Sequence, residues 1–197
     1  IIIMKYNLSE ISEVIKNRRT IYPELYSSRK VHKEIIEHLL RNAVWAPTHG
    51  KTQPWRFKVY SGDSRAILSN KLGELYKKLT PKEKFIDEKL NKIKARPFLS
   101  SVVIAVCMER GDNVKIPVIE EVEAVACAIQ NMSLTATAYG IGSFWSTPKI
   151  IYTQEMNDFL NLREEDKCLG LFYVGYLEGK WPKGIRKPVK QLTDWYE

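Results

Sequence analysis

The sequence predicts an α+β chain, a sheet covered by helices, on three observations. A five-residue run, Val102-Val103-Ile104-Ala105-Val106, has the length and β-branching of a central strand buried on both faces. Several segments carry apolar residues at helical spacing, and strands and helices follow one another in mixed order without a repeating βα unit. With 197 residues, 44% of them apolar, the chain can bury a real core as one domain spanning 1–197.

The elements follow in order. Ser9 stands as N-cap before Ile11, Val14 and Ile15, so a first helix runs to Asn17 and delivers Arg18-Arg19-Thr20 beyond it. Ile35, Ile36, Leu39, Leu40, Ala43 and Val44 mark a second helix, stopped before Pro47. Arg56 to Tyr60 reads as a short strand closed by the turn Ser61-Gly62-Asp63. A helix through Ile67, Leu68, Leu72, Leu75 and Leu79 ends at Pro81, and a lysine-rich helix follows to Ala95, with Pro97 between it and the strand Ser101 to Met108. The alanine-rich stretch from Glu120 to Tyr139 reads as a long helix capped by Gly140. Gly142-Ser143-Phe144-Trp145 leads out of it, Glu155 to Leu160 form a short helix, and Leu169 to Leu177 form a last strand.

Composition removes several classes of function. Thirty-one basic against 23 acidic residues leave a charge of +8, which favours anionic partners. The excess is spread through an amphipathic pattern from Lys71 to Lys94, and no recognised nucleic-acid module interleaves it with stacking aromatics, so no nucleic-acid partner is expected. Cys107, Cys127 and Cys168 lie singly in apolar stretches, which predicts a reducing, cytoplasmic setting without disulfides. Ile1-Ile2-Ile3 is too short for a signal-peptide core, no window reaches the ~20 apolar residues of a span, and no membrane partner is expected. There is no P-loop, no GxGxxG opening a helix, no HExxH and no GxSxG. His32, His38 and His49 do not share metal-ligand spacing, so no metal is expected.

Four clusters remain. Asn17-Arg18-Arg19-Thr20 pairs two guanidiniums with a hydroxyl, fit either to fork onto phosphate oxygens or to stand as a helix-terminal charge pair. Trp45 to Phe57 is a loop dense in polar groups and rings, either a binding loop on rigid flanks or an ordinary packed one. Gly140 to Pro148 joins glycines, an aromatic face and the hydroxyls of Ser146 and Thr147, suited to a flat ligand or to a plain helix-ending turn. Gly179 to Pro188 is a basic segment that reads equally as a solvated tail.

Together, from Ile15 to Pro188, these pieces resemble the nitroreductase family of flavin enzymes. Asn17-Arg18-Arg19-Thr20 is similar to N-R-R-S, Ala46-Pro47-Thr48-His49 with Gln53-Pro54-Trp55-Arg56-Phe57 to A-P-x-H and Q-P-W-R-F, and Leu171 to Tyr176 to G-F-L-Y-L-G. Gly140-Ile141-Gly142-Ser143-Phe144-Trp145 joins them, and the order and spacing of the pieces carry the match. The resemblance implies a mixed, mostly antiparallel sheet covered by helices, and a homodimer with FMN at the subunit interface. It implies an NAD(P)H oxidoreductase acting by ping-pong on flat acceptors such as nitroaromatics or quinones, with the flavin and no catalytic side chain carrying the chemistry. The alternatives are dehalogenation or dehydrogenation on the same fold, or an FMN-binding storage or sensing protein.

Carried over by position, Arg18, Arg19 and Thr20 meet the FMN phosphate and ribityl chain, with Trp45 and His49 on the same subunit's side. Trp145, Ser146 and Thr147 come from the partner, and Arg186 reaches the phosphate, with Lys187 as competitor. Lys51 stands where many larger relatives have an asparagine, and would put a cation at the ring's polar edge, raising its potential.

Overall fold

The structure, a computed structural model, describes residues 6–113 and 115–196. Ile1-Ile2-Ile3 lies outside the described residues. Four strands form one sheet in the order β1 (Trp55–Ser61), β2 (Val102–Met108), β4 (Lys167–Tyr176), β3 (Ile141–Ser146), each neighbour antiparallel. A parallel bridge between Thr20 and Ser143 continues the β3 edge, with the Ile21 amide donating to the Ser143 carbonyl at 2.9 Å. The sheet is therefore mostly antiparallel with one parallel contact, and that contact brings the end of the first helix to β3.

Helices on both faces explain why β2 is apolar throughout and buried at every residue. On one face Ile104, Val106, Phe172 and Val174 pack against α2 (Lys33–Ala43) and α5 (Val118–Ala138) through Leu39, Ala43, Ala128, Ile129 and Met132. On the other, Val103, Ala105, Leu171 and Tyr173 meet Leu68, Leu72 and Leu75 of α3 (Ser64–Leu79) and Met156 of α6 (Gln154–Phe159). The fourth helix, α4 (Asp87–Leu99), lies along α3.

Three local expectations are corrected. The first helix, α1 (Leu8–Asn17), is capped by Asn7 rather than Ser9: the Asn7 side chain accepts from the Ser9 and Glu10 amides. An asparagine caps as well as a serine, and here it stands one turn ahead of the apolar stripe. Helix α4 continues through Pro97 to Leu99 instead of ending at Ala95. Proline's fixed φ suits a last turn, and the Arg65 guanidinium donates to the Pro97, Phe98 and Ser100 carbonyls beyond it. The segment after Gly140 is a strand, β3, made by its pairing with β4 rather than by its own composition.

Candidate functional site

The geometry of the site begins at the end of α1. The Arg18 amide closes the helix on the Val14 carbonyl at 3.0 Å, and the chain then extends to make the Thr20–Ser143 bridge. Gly142 allows that approach, because a Cβ there would stand 2.9 Å from Cβ of Ile21. Two residues beyond Ser143 on β3, Trp145 donates its ring N–H to the Leu169 carbonyl at 2.9 Å. The segment after β4 returns to α1: the Trp181 ring N–H donates to the Asn17 carbonyl at 2.7 Å and Arg19 Nε to the Pro182 carbonyl at 3.1 Å. This return delivers Arg186 to the same place.

The result is a cleft of about 450 Å³ that gathers Arg18, Thr20, Ser133, Ser143, Trp145 and Arg186. Its charge is uncompensated. Burial, then Arg186, then Arg19 depress the pKa of Arg18, so the site disfavours its own cation. Among the described residues neither Arg18 nor Arg186 forms an ion pair with a carboxylate. Two guanidiniums beside three hydroxyls and an indole make a receptor for a dianion attached to a flat ring.

Other predicted residues stand elsewhere. Arg19 is a clamp: besides Pro182 it donates from Nη1 to the Lys16 and Arg18 carbonyls, both at 2.7 Å, and its guanidinium lies against Gly184. Ser146 and Thr147 follow Trp145 but do not line the cleft, and Lys187 is exposed outside it. Trp145, expected from a partner, stands in its own chain's cleft beside Arg18. Trp45 is 84% exposed, and His49 pairs with Glu120 at 2.5 Å. Neither lines the cleft.

Trp45 and His49 flank a second feature, a loop in which Gly50, Lys51 and Gln53 all take positive φ, at 57°, 56° and 48°. For the two non-glycine residues this costs on the order of 1–3 kcal/mol each, strain that gathers at functional sites. The Thr48 hydroxyl holds the loop, meeting Thr52 Oγ1 at 2.9 Å and accepting from the Gln53 amide at 3.3 Å. Lys51, Gln53 and Arg56 rim a separate cleft of about 630 Å³ that shares no lining residue with the first.

Sequence reasoning missed Ser133 and Ser143. The signal was available for Ser133, a hydroxyl on the small-residue face of an alanine-rich helix; Ser143 needed the bridge to Thr20. It also missed a buried ionic network: Glu121, 1% exposed, accepts from Arg110 Nη1 and the Gly111 amide, and Asp166 accepts from the Arg110 and Arg163 amides. Burial opposes the Asp166 charge, but bonds from the Arg163 side chain and these amides outweigh it and hold the carboxyl below its usual range.

The profile of the nitroreductase family matches residues 15–176. The chain belongs to the nitroreductase family. Within this family it is 29% identical over 155 residues to the Escherichia coli protein named "Putative NAD(P)H nitroreductase YdjA", covering 79% of this chain and 82% of that one. The crystal structure of a nitroreductase-like family protein from Bacillus cereus superposes with a TM-score of 0.81 at 26% identity over the full length of both chains. The FMN-dependent nitroreductase NfnB of Mycobacterium smegmatis, solved with NADPH, shares the fold with a TM-score of 0.73 at 18% identity, covering 96% and 99%.

In this nitroreductase-family chain β4 bulges where its register against β2 shifts between Val106 and Cys107, and the bulge under Trp145 has little room. A Cβ on Gly170 would lie 2.0 Å from Trp145 Nε1, so Gly170→Ala is expected to expel the indole and cost about 2 kcal/mol or more, as forced overpacking does. Thermal unfolding together with tryptophan emission checks this. An unchanged spectrum would show that the indole is not seated on Gly170.

Proposed function

We propose that the chain is an FMN-dependent NAD(P)H oxidoreductase, one domain per subunit of a cytoplasmic homodimer, that reduces flat small-molecule acceptors such as nitroaromatics or quinones by ping-pong. The observation that carries this reading is the pair Arg18 and Arg186, without carboxylate partners, under the Trp145 indole. The donor set fits FMN. Arg18 and Arg186 hold the phosphate by charge-assisted bonds, Thr20 and Ser143 bond the ribityl chain, and Trp145 packs at the ring and keeps water from it.

When bound, FMN supplies a ring that accepts a hydride and passes electrons on. The chain's own groups bind and orient; nicotinamide and acceptor occupy one open face in turn. The family match and the naming of YdjA and NfnB support this reading.

Two subunits are needed because the halves of the site lie apart in one chain. With Trp145 beside Arg18, the loop carrying Trp45, His49 and Lys51 is the part a partner contributes, the reverse of the division first implied. Exposed apolar residues support association: α1 buries none of its residues, with Leu8, Ile11 and Ile15 each at least 46% exposed, and Ile185, Val189, Leu192 and Trp195 stand out along the tail. Among the described residues no helix is long and apolar enough to cross a membrane.

The test is the visible spectrum of the FMN-loaded protein without oxygen. Bleaching by NADH or NADPH and recovery on adding a nitroaromatic or quinone is the expected outcome. Flavin bands that persist would replace the enzyme with an FMN carrier, and a protein that binds no FMN would overturn the reading.

A further inference from the structure

Cys107 and Cys168 are 61 positions apart in sequence and stand directly opposite one another on β2 and β4. Directly opposed residues of antiparallel strands have Cα atoms about 4.5–5.5 Å apart, within the roughly 4.4–6.8 Å that a disulfide spans. Directly opposed residues of an antiparallel pair also leave the sheet on the same face. A bulge sets this opposition. The register passes from Val106–Gly170 to Cys107–Cys168, so β4 carries one extra residue and its alternation shifts. Leu171 and Tyr173 face the α3 side; strict alternation would send Cys168 to the other face, yet both thiols lie in the α3-side core. Each sulfur lies 3.9 Å from a carbonyl of its own strand, Cys107 Sγ from that of Ala105 and Cys168 Sγ from that of Gly170.

The two sulfurs are not equivalent. Cys168, and not Cys107, lines a polar cleft of about 280 Å³ rimmed by Tyr152, Gln154, Asn157 and Lys167. The neighbouring Cys168 thiol, then burial, raise the pKa of Cys107, which keeps its proton; the neighbouring Cys107 lowers that of Cys168, against burial. Cys168, 1% exposed, is thus both the thiol that borders a cleft and the more acidic of the two. The third cysteine, Cys127, is exposed on α5 and has no such partner.

We propose that Cys107 and Cys168 form a peroxide-sensitive thiol–disulfide pair whose closure moves the bulge beneath Trp145 and so changes the neighbouring cleft. Cys168 thiolate attacks one oxygen of hydrogen peroxide, the O–O bond breaks, and a sulfenic acid and hydroxide result. The Cys107 thiol then attacks Cys168 Sγ, its proton leaves with the displaced oxygen as water, and the S–S bond forms. Two thiols lose two electrons, and one peroxide becomes two waters. The bulge transmits the change because Gly170 supports the Trp145 ring and Leu169 accepts its N–H bond.

The effect on the cleft rests on reading it as the FMN site; the disulfide does not. The FMN-loaded protein is treated with hydrogen peroxide, alkylated, digested and mapped by mass. A Cys107–Cys168 linked peptide, lost on reduction, is expected, with dimedone trapping Cys168 in Cys107→Ser and no oxidation of Cys107 in Cys168→Ser. Both cysteines recovered as free thiols from the native protein would overturn the pair. FMN titration of the oxidised and reduced protein should then differ by about fivefold or more, the lower end of coupling between sites. A disulfide that leaves FMN affinity unchanged would overturn the coupling, whereas failure of the reduced protein to bind FMN would count against the proposed function alone.

Discussion

Arg18→Ala is expected to lower FMN affinity by about 10–100-fold, since hydrogen bonds from a charged donor are worth roughly 1.5–3 kcal/mol and Arg18 is the more enclosed of the cleft's two guanidiniums. The sign of the accompanying stability change separates a ligand-binding cation from a structural one. Burial and the nearby Arg186 and Arg19 charges already disfavour Arg18 in the empty cleft, so removing it should leave the FMN-free protein as stable or slightly more stable. Loss would show only with ligand, as a vanished shift of unfolding temperature on adding FMN. Lys187→Ala, outside the cleft, should bind FMN normally. Arg19→Ala should act differently, loosening the tail through its lost bonds to Pro182 and Lys16 and so destabilising the protein even without FMN. Fluorescence titration of FMN with the three variants checks this, and an unchanged Arg18→Ala affinity would remove the cleft from the flavin site.

What was legible in the sequence follows from where each signal is stored. Strand β2 could be read because its burial on both faces leaves a continuous apolar run, and α2 because its apolar spacing and Pro47 are local. Strand β3 could not: Gly142 and Ser143 have no strand preference, and the pairing with β4 and Thr20 that makes the strand is tertiary. The Arg18-Arg19 pair shows the same limit within a site. Adjacent guanidiniums in sequence have opposite fates because Arg18 faces the cleft while Arg19 turns to the returning tail, a contact with residues more than 160 positions away. By composition Arg186 was a basic residue in a tail, and only the resemblance put it at the phosphate; Trp181 and Pro182 fix that tail to α1. The three cysteines are free, as the sequence predicts, but the opposition of Cys107 and Cys168 could not be read there, because the bulge that sets it is invisible in composition.

Glu121→Ala should be the most damaging single change to folding among these variants. The carboxylate lies in the first turn of α5, where the helix dipole favours it, and it accepts from Arg110 Nη1 at 2.5 Å and the Gly111 amide at 3.0 Å. Arg110 also donates from Nη2 to the Ile116 carbonyl at 2.6 Å, and its amide bonds Asp166 at 2.8 Å. Ile116 in turn presses on the strained loop, its Cδ1 2.7 Å from where a Gly50 Cβ would stand. Removing the carboxylate takes the paired anion from a guanidinium that is 14% exposed, and breaking a buried pair from one side costs about 3–5 kcal/mol. For a chain of this size that lowers the unfolding temperature by on the order of 10 °C. Glu120→Ala is the matched control: its carboxylate, 38% exposed, pairs among the described residues with the exposed His49, and such surface pairs contribute about 1 kcal/mol or less. Chemical denaturation of the two variants decides the matter. Equal midpoints would mean that Arg110 finds other partners and that the network does not hold the loop. A large gap would tie the placement of Lys51 to a charge buried at the start of α5.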